Sequence, residues 1–176
     1  MKTSDVIWEI VKQYADTVFF VPGGGAMFLV DSLGRSGLKH ISMLHEQGAA
    51  FAACGYAQQR RGLGVCLVTS GPGATNAITG CAAAWMDSLP VLFISGQSNL
   101  NPNEHLRVRG VQMVDIVSMV KPITKSAYQL IPEYQQEQDD INDIPTIMET
   151  VIACCFHQRP GPCWLDVPLD VQAEEI

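Results

Sequence analysis

A chain of 176 residues with 47% hydrophobic and only 16% charged residues has ample material for a core and little to cover a water-facing surface. Its net charge of -7, with no basic run beyond Arg60-Arg61, argues against a nucleic-acid partner. Six cysteines without Cys-x-x-Cys spacing or paired histidines read as reduced thiols in a cytoplasmic protein.

Lys2, Asp5, Glu9 and Lys12 interrupt any signal-peptide hydrophobic region. Thr3 or Ser4 is a candidate cap for a first helix, in which Val6, Ile7, Ile10, Val11 and Tyr14 follow the helical period. Residues 17–21 then make a β-branched and aromatic strand, ended by Pro22-Gly23-Gly24-Gly25 and followed by a helix over 26–33. The alternation continues with strands at 41–44, 63–69 and 91–95 and helices at 46–59 and 74–85. The uncharged stretch 62–86 is no membrane span, because Ser70-Gly71-Pro72-Gly73 divides it into strand and helix. Residues 99–109 read as a loop across the sheet rim, 113–119 as a helix and 126–130 as a strand. The segment 133–142, rich in Gln, Glu and Asp, reads as a solvated insertion. Ile144, Ile147, Met148, Val151, Ile152 and Cys155 mark a last amphipathic helix, stopped by Arg159-Pro160-Gly161-Pro162 before a strand at 163–167. Apolar strands separated by helices predict an α/β fold: three α/β/α layers around a mostly parallel sheet of about six strands, in one domain over 1–176.

The candidate catalytic residue is Glu46. It follows a short strand and heads a helix whose Ala49, Ala50, Ala53, Cys54 and Ala57 form a ridge of small side chains, open to close approach by another element. The alternative is an ordinary first-turn acid favoured by the helix dipole. Two strand-to-helix turns, at 22–25 and 70–76, are rich in glycine, which lets a ligand reach the backbone beside free helix-start N–H groups. In an open parallel sheet ligands gather at the carboxyl ends of strands, where Glu46 also lies. A dinucleotide site fits poorly, because Phe28 stands where a third small residue is needed after Gly23 and Gly25. There is no Gly-x-x-x-x-Gly-Lys phosphate loop.

Val21-Pro22-Gly23-Gly24, His45-Glu46-Gln47-Gly48-Ala49-Ala50, Gly55-Tyr56-Ala57, Thr69-Ser70-Gly71-Pro72-Gly73-Ala74-Thr75-Asn76, Pro90-Val91-Leu92 with Ser95-Gly96, and Arg159-Pro160-Gly161-Pro162 with Asp166-Val167-Pro168 run in order along the chain. Together they resemble the N-terminal pyrimidine-binding domain of thiamine diphosphate enzymes, on the acetolactate synthase and pyruvate decarboxylase branch. The resemblance implies the thiamine diphosphate-binding fold, and it makes Glu46 the acid that hydrogen-bonds the aminopyrimidine ring nitrogen N1′. The cofactor then serves as electron sink for decarboxylation of a 2-oxo acid such as pyruvate and for transfer of the acyl-carbanion equivalent. It also implies that Val21, Pro22 and Gly23 border the reacting centre and that Gly71, Pro72 and Gly73 approach the aminopyrimidine. Asn76 would bind ligand or cap its helix, while Gly24, Phe28 and Gln112 are candidates for the substrate pocket. His45 reads as structural, and Met27 and Phe28 as packing or at most a wall of the substrate pocket.

Members of this family hold the diphosphate and a metal ion, Mg2+ by expectation, through a Gly-Asp-Gly motif on another domain, and no Gly-Asp-Gly occurs here. The resemblance therefore implies a diphosphate-binding partner domain, of the same chain or another, in a homodimer or tetramer, and no metal site on these residues. The chain reads as the N-terminal part of a longer enzyme, with the family's linker to a middle domain expected to begin after 166–172, or as the small subunit of a split one. Any flavin would sit on a middle domain. A simple 2-oxo acid decarboxylase and a sugar-branching carboligase are alternative activities, and a non-catalytic binding module is the alternative of another class.

Overall fold

The computed structural model describes residues 1–100, 110–131 and 143–176. Residues 101–109 of the rim loop expected over 99–109 and the insertion expected over 133–142 lie outside the described residues. Strands Thr17–Phe20 (β1), Lys39–Ser42 (β2), Gly64–Val68 (β3), Val91–Gln97 (β4), Ser126–Gln129 (β5) and Cys163–Pro168 (β6) form one six-stranded sheet in the order β2-β1-β3-β4-β6-β5. Every neighbouring pair is parallel. The helices are Thr3–Val11 (α1), Met27–Arg35 (α2), Glu46–Arg60 (α3), Pro72–Asp87 (α4), Ile116–Val120 (α5), Ile144–Phe156 (α6) and Leu169–Ala173 (α7).

The central strands are apolar throughout because both faces are covered, and successive side chains serve opposite layers. Val65, Leu67, Leu92, Ile94 and Leu165 pack with Trp8, Leu33 and Ile152 from the α1, α2 and α6 side. Cys66, Val68, Phe93 and Trp164 pack with Ala50, Ala53, Ala77, Cys81 and Ile116 from α3, α4 and α5. Phe93 and Trp164 stack there with ring centroids 5.2 Å apart. These are the three layers that the sequence predicts.

The small-residue ridge of α3 finds its neighbours within the chain. A Cβ at Gly80 of α4 would stand 2.4 Å from the Ala50 Cβ, and one at Gly64 of β3 would stand 2.3 Å from the Ala53 carbonyl oxygen. The ridge therefore serves the intrachain α3–α4–sheet contact, the close approach by another element that its small side chains predict. No helix among the described residues is long and apolar enough to cross a membrane.

Several boundaries differ from expectation for physical reasons. The second strand covers Lys39–Ser42, not 41–44, because it is an edge strand whose span is fixed by pairing Thr17 with Lys39 and Phe20 with Ser42. Leu44 is fully exposed beyond its end. Helix α1 is capped at Lys2, whose N–H donates to Asp5 Oδ2 at 3.1 Å, while Thr3 and Ser4 are buried inside the helix. Tyr14 lies past the helix end and is exposed. Helix α5 is shorter than the expected 113–119, since Asp115 caps it by accepting from the Ser118 N–H at 3.0 Å. Residues 166–172 complete β6 and enter α7, where Gln172 is buried.

Candidate functional site

The two glycine turns meet on Thr69, at the end of β3. A Cβ at Gly23 would lie 2.5 Å from the Thr69 Cβ, and one at Gly73 would lie 2.7 Å from its Cγ2. The Gly25 N–H donates to Thr69 Oγ1 at 3.0 Å. Glycine is required on both turns because the backbones touch the same β-branched side chain. From the other side, Gln172 Nε2 donates to the carbonyls of Gly25, at 2.8 Å, and Val167, at 2.7 Å. Gly25 is thus tied to both Thr69 and α7. Thr69 and Gln172 escaped sequence reasoning as anchors; a polar side chain inside an otherwise apolar strand end or helix was the available signal.

Glu46 is the first residue of α3, and His45 caps that helix, its Nδ1 accepting from the Gln47 N–H at 3.1 Å. The His45 ring is thereby accounted for structurally. Glu46 is partly buried, and its Oε2 accepts from Asn76 Nδ2 at 3.0 Å. Asn76 sits well inside α4, which begins at Pro72, so it does not cap that helix; it reaches across to orient the carboxylate. Oε1 of Glu46 faces Gly73, where an added Cβ would stand 3.5 Å away. The absence of a side chain at Gly73 leaves room beside a fixed carboxylate oxygen.

A cavity of ≈ 390 Å³ opens next to the second turn, lined by residues that include Gly24, Met27, Ser70, Ser98, Val111 and Gln112. Gln112 has a left-handed backbone (φ 60°), and its carbonyl oxygen would stand 2.1 Å from a Cβ at Gly71, itself at φ 58°. Gly71 is therefore a glycine on two grounds, its own φ and the close approach of Gln112. The 70–73 turn borders the cavity through Ser70, while Glu46 and Gly73 lie outside its lining. Gly24 and Gln112 thus share one cavity. Phe28 does not line it; its ring lies under Lys2, with Nζ 4.8 Å from the centroid, and Met27 takes the wall instead. Val21 is partly buried against the α3–α4 side, and Pro22 is exposed at the mouth of the first turn. No group of three or more His, Cys, Asp or Glu among the described residues is placed to hold a metal ion.

Residues 1–119 match the family described as thiamine pyrophosphate enzyme, N-terminal TPP binding domain. The chain is 38% identical over 175 residues to an acetolactate synthase, chloroplastic, of Arabidopsis thaliana, covering 98% of this chain and 24% of that protein. It is 38% identical over 167 residues to the acetolactate synthase isozyme 2 large subunit of Escherichia coli (strain K12), covering 95% and 28%. It is 40% identical over 163 residues to an acetolactate synthase of Arthrospira platensis, covering 90% and 26%. The chain spans about a quarter of the length of these relatives.

Proposed function

Because this chain belongs to the thiamine pyrophosphate enzyme family, as its N-terminal TPP-binding domain, we propose that it is the pyrimidine-binding part of an acetolactate synthase-like carboligase acting on pyruvate or a similar 2-oxo acid. The observation that carries this reading is the fixed carboxylate: Glu46 held at Oε2 by Asn76, with Oε1 beside the bare Gly73. Thiamine diphosphate, when bound, supplies the electron sink for decarboxylation. Glu46 holds a proton at the ring nitrogen of the aminopyrimidine, and Asn76 fixes the oxygen not engaged there. Gly71, Pro72 and Gly73 leave the backbone open to the ring, and Val21, Pro22 and Gly23 border the reacting centre. Gly24, Met27 and Gln112 wall the space in which the 2-oxo acid lies.

The diphosphate and its Mg2+ belong, on this reading, to polypeptide beyond these residues, in a partner domain met within a homodimer or tetramer. The six cysteines are all free thiols, which suits a reducing compartment such as the cytoplasm. The test is pyruvate consumption by the full-length protein with thiamine diphosphate and Mg2+, with products identified. Acetolactate supports the reading. Acetaldehyde alone would replace carboligation with simple decarboxylation, and no turnover of pyruvate or any other 2-oxo acid would overturn the reading.

A further inference from the structure

Asp166 lies in the middle of the core, fully buried on β6. Ser95 Oγ of β4 donates to its Oδ1 at 2.5 Å, and Oδ2 accepts from Gln97 Nε2 at 3.2 Å and from Gln129 Nε2 of β5 at 2.7 Å. Trp164 Nε1 donates to Ser95 Oγ at 2.8 Å, which commits the serine hydrogen to Asp166. An apolar side chain would fill this place without the desolvation cost of a carboxylate. What the carboxylate adds is a fixed direction for each donor around it.

Gln97 is the donor that leads out of the core. Its Oε1 accepts from the Ser98 N–H at 3.1 Å, so its amide has one orientation, and the same Nε2 that meets Asp166 also donates to the Val114 carbonyl at 2.8 Å. The segment it grips is clamped at two further points. A Cβ at Gly110 would stand 2.6 Å from the Ser98 Cβ, and the Gln112 backbone rests on Gly71. Ser98, Gly110 and Gln112 line the cavity beside the second glycine turn.

We propose that Asp166 is a positioning residue, which through the Gln97 amide sets where residues 110–114 lie and hence where the Gln112 wall of that cavity stands. Its kinetic consequence rests on the reading of the cavity as the 2-oxo acid pocket; its structural consequence does not. Gln129 provides the internal control. It gives Asp166 a comparable bond from β5, across β6 from Gln97 on β4.

The experiment compares Gln97→Met, Gln129→Met and Asp166→Asn in the full-length protein by amide hydrogen exchange over 110–116, by thermal midpoint and by steady-state kinetics with pyruvate. Loss of the Gln97 bonds is expected to speed exchange over 110–116 by roughly tenfold and to raise KM about tenfold, with kcat within about twofold. Gln129→Met is expected to lower the thermal midpoint without either change. Asp166→Asn, which retains the side-chain volume, is expected to give the same two changes at smaller size and stands in should Gln97→Met not fold. Unchanged exchange over 110–116 in Gln97→Met, or equal changes in Gln129→Met, would overturn the proposal. Faster exchange with an unaltered KM would instead leave the positioning intact and remove the cavity from its substrate role.

Discussion

Glu46 and Asp166 are carboxylates on one sheet's carboxyl-terminal side, and they are held in opposite ways. Glu46 is partly exposed at a helix start and takes one amide donor, from Asn76, leaving the other oxygen beside the gap at Gly73. Asp166 is closed off from water and takes three donors. Burial pushes its carboxyl up to about 6, against the pull of the hydrogen bonds from Ser95, Gln129 and Gln97, and the nearby Asp115 adds to the rise. The difference teaches what each group can do: a carboxylate with an oxygen left over can meet a ligand, whereas a saturated one can only hold its neighbours.

The largest effect that would sharpen this contrast is on turnover. Glu46→Gln in the complete enzyme is expected to lower kcat by roughly a hundredfold or more, the scale of a lost proton-transfer group, with little change in the thermal midpoint because the residue is only partly buried. Asp166 should show the reverse balance, in stability and with a distinct pH dependence. Its folded-state value lies above the ordinary 3.8, so the folded chain binds the extra proton between about pH 4 and pH 6. Its contribution is intact below about pH 4 and is lost as pH rises through about 6, by about 3 kcal/mol in all. Denaturant melts of wild type and Asp166→Asn across pH 4 to 7 are expected to differ most at the acid end and to converge upward; parallel profiles would break the contrast.

Packing comes next. Gly80→Val forces a side chain into Ala50 on α3 and is expected to cost roughly 1–3 kcal/mol by overpacking, measured as a lower denaturation midpoint. The smallest effect is that of Asn76→Ala, which removes a single hydrogen bond to Glu46. It is expected to reduce turnover by about tenfold, corresponding to a bond of about 1.4 kcal/mol, and Asn76→Asp, with a like charge facing Glu46, should be worse than alanine.

Much of this was legible in the chain because it is local. The order of strands and helices, the apolar central strands and the small ridge of α3 all follow from periodicity and side-chain size, and Glu46 was singled out by its position at a helix start after a short apolar strand. What escaped is non-local. Pairing with β1 alone moved the edge strand to Lys39–Ser42, and nothing in residues 41–44 reveals an edge. The neighbour of the α3 ridge was on α4, yet small residues signal only that something comes close. Asn76 reads as a cap beside Gly71-Pro72-Gly73, whereas its partner lies across the α3–α4 contact. Asp166 stood inside Cys163-Trp164-Leu165-Asp166-Val167, and a charge in an apolar strand implies buried donors without saying that Ser95, Gln97 and Gln129 supply them.

The central claim, that Glu46 is the carboxyl that meets the pyrimidine ring, is tested most directly by following C2 hydrogen–deuterium exchange of thiamine diphosphate bound to the full-length protein, wild type against Glu46→Gln. The account predicts that exchange slows by roughly a hundredfold or more while the cofactor still binds. Exchange at the wild-type rate in the variant would contradict it and return Glu46 to the role of an ordinary helix-start acid.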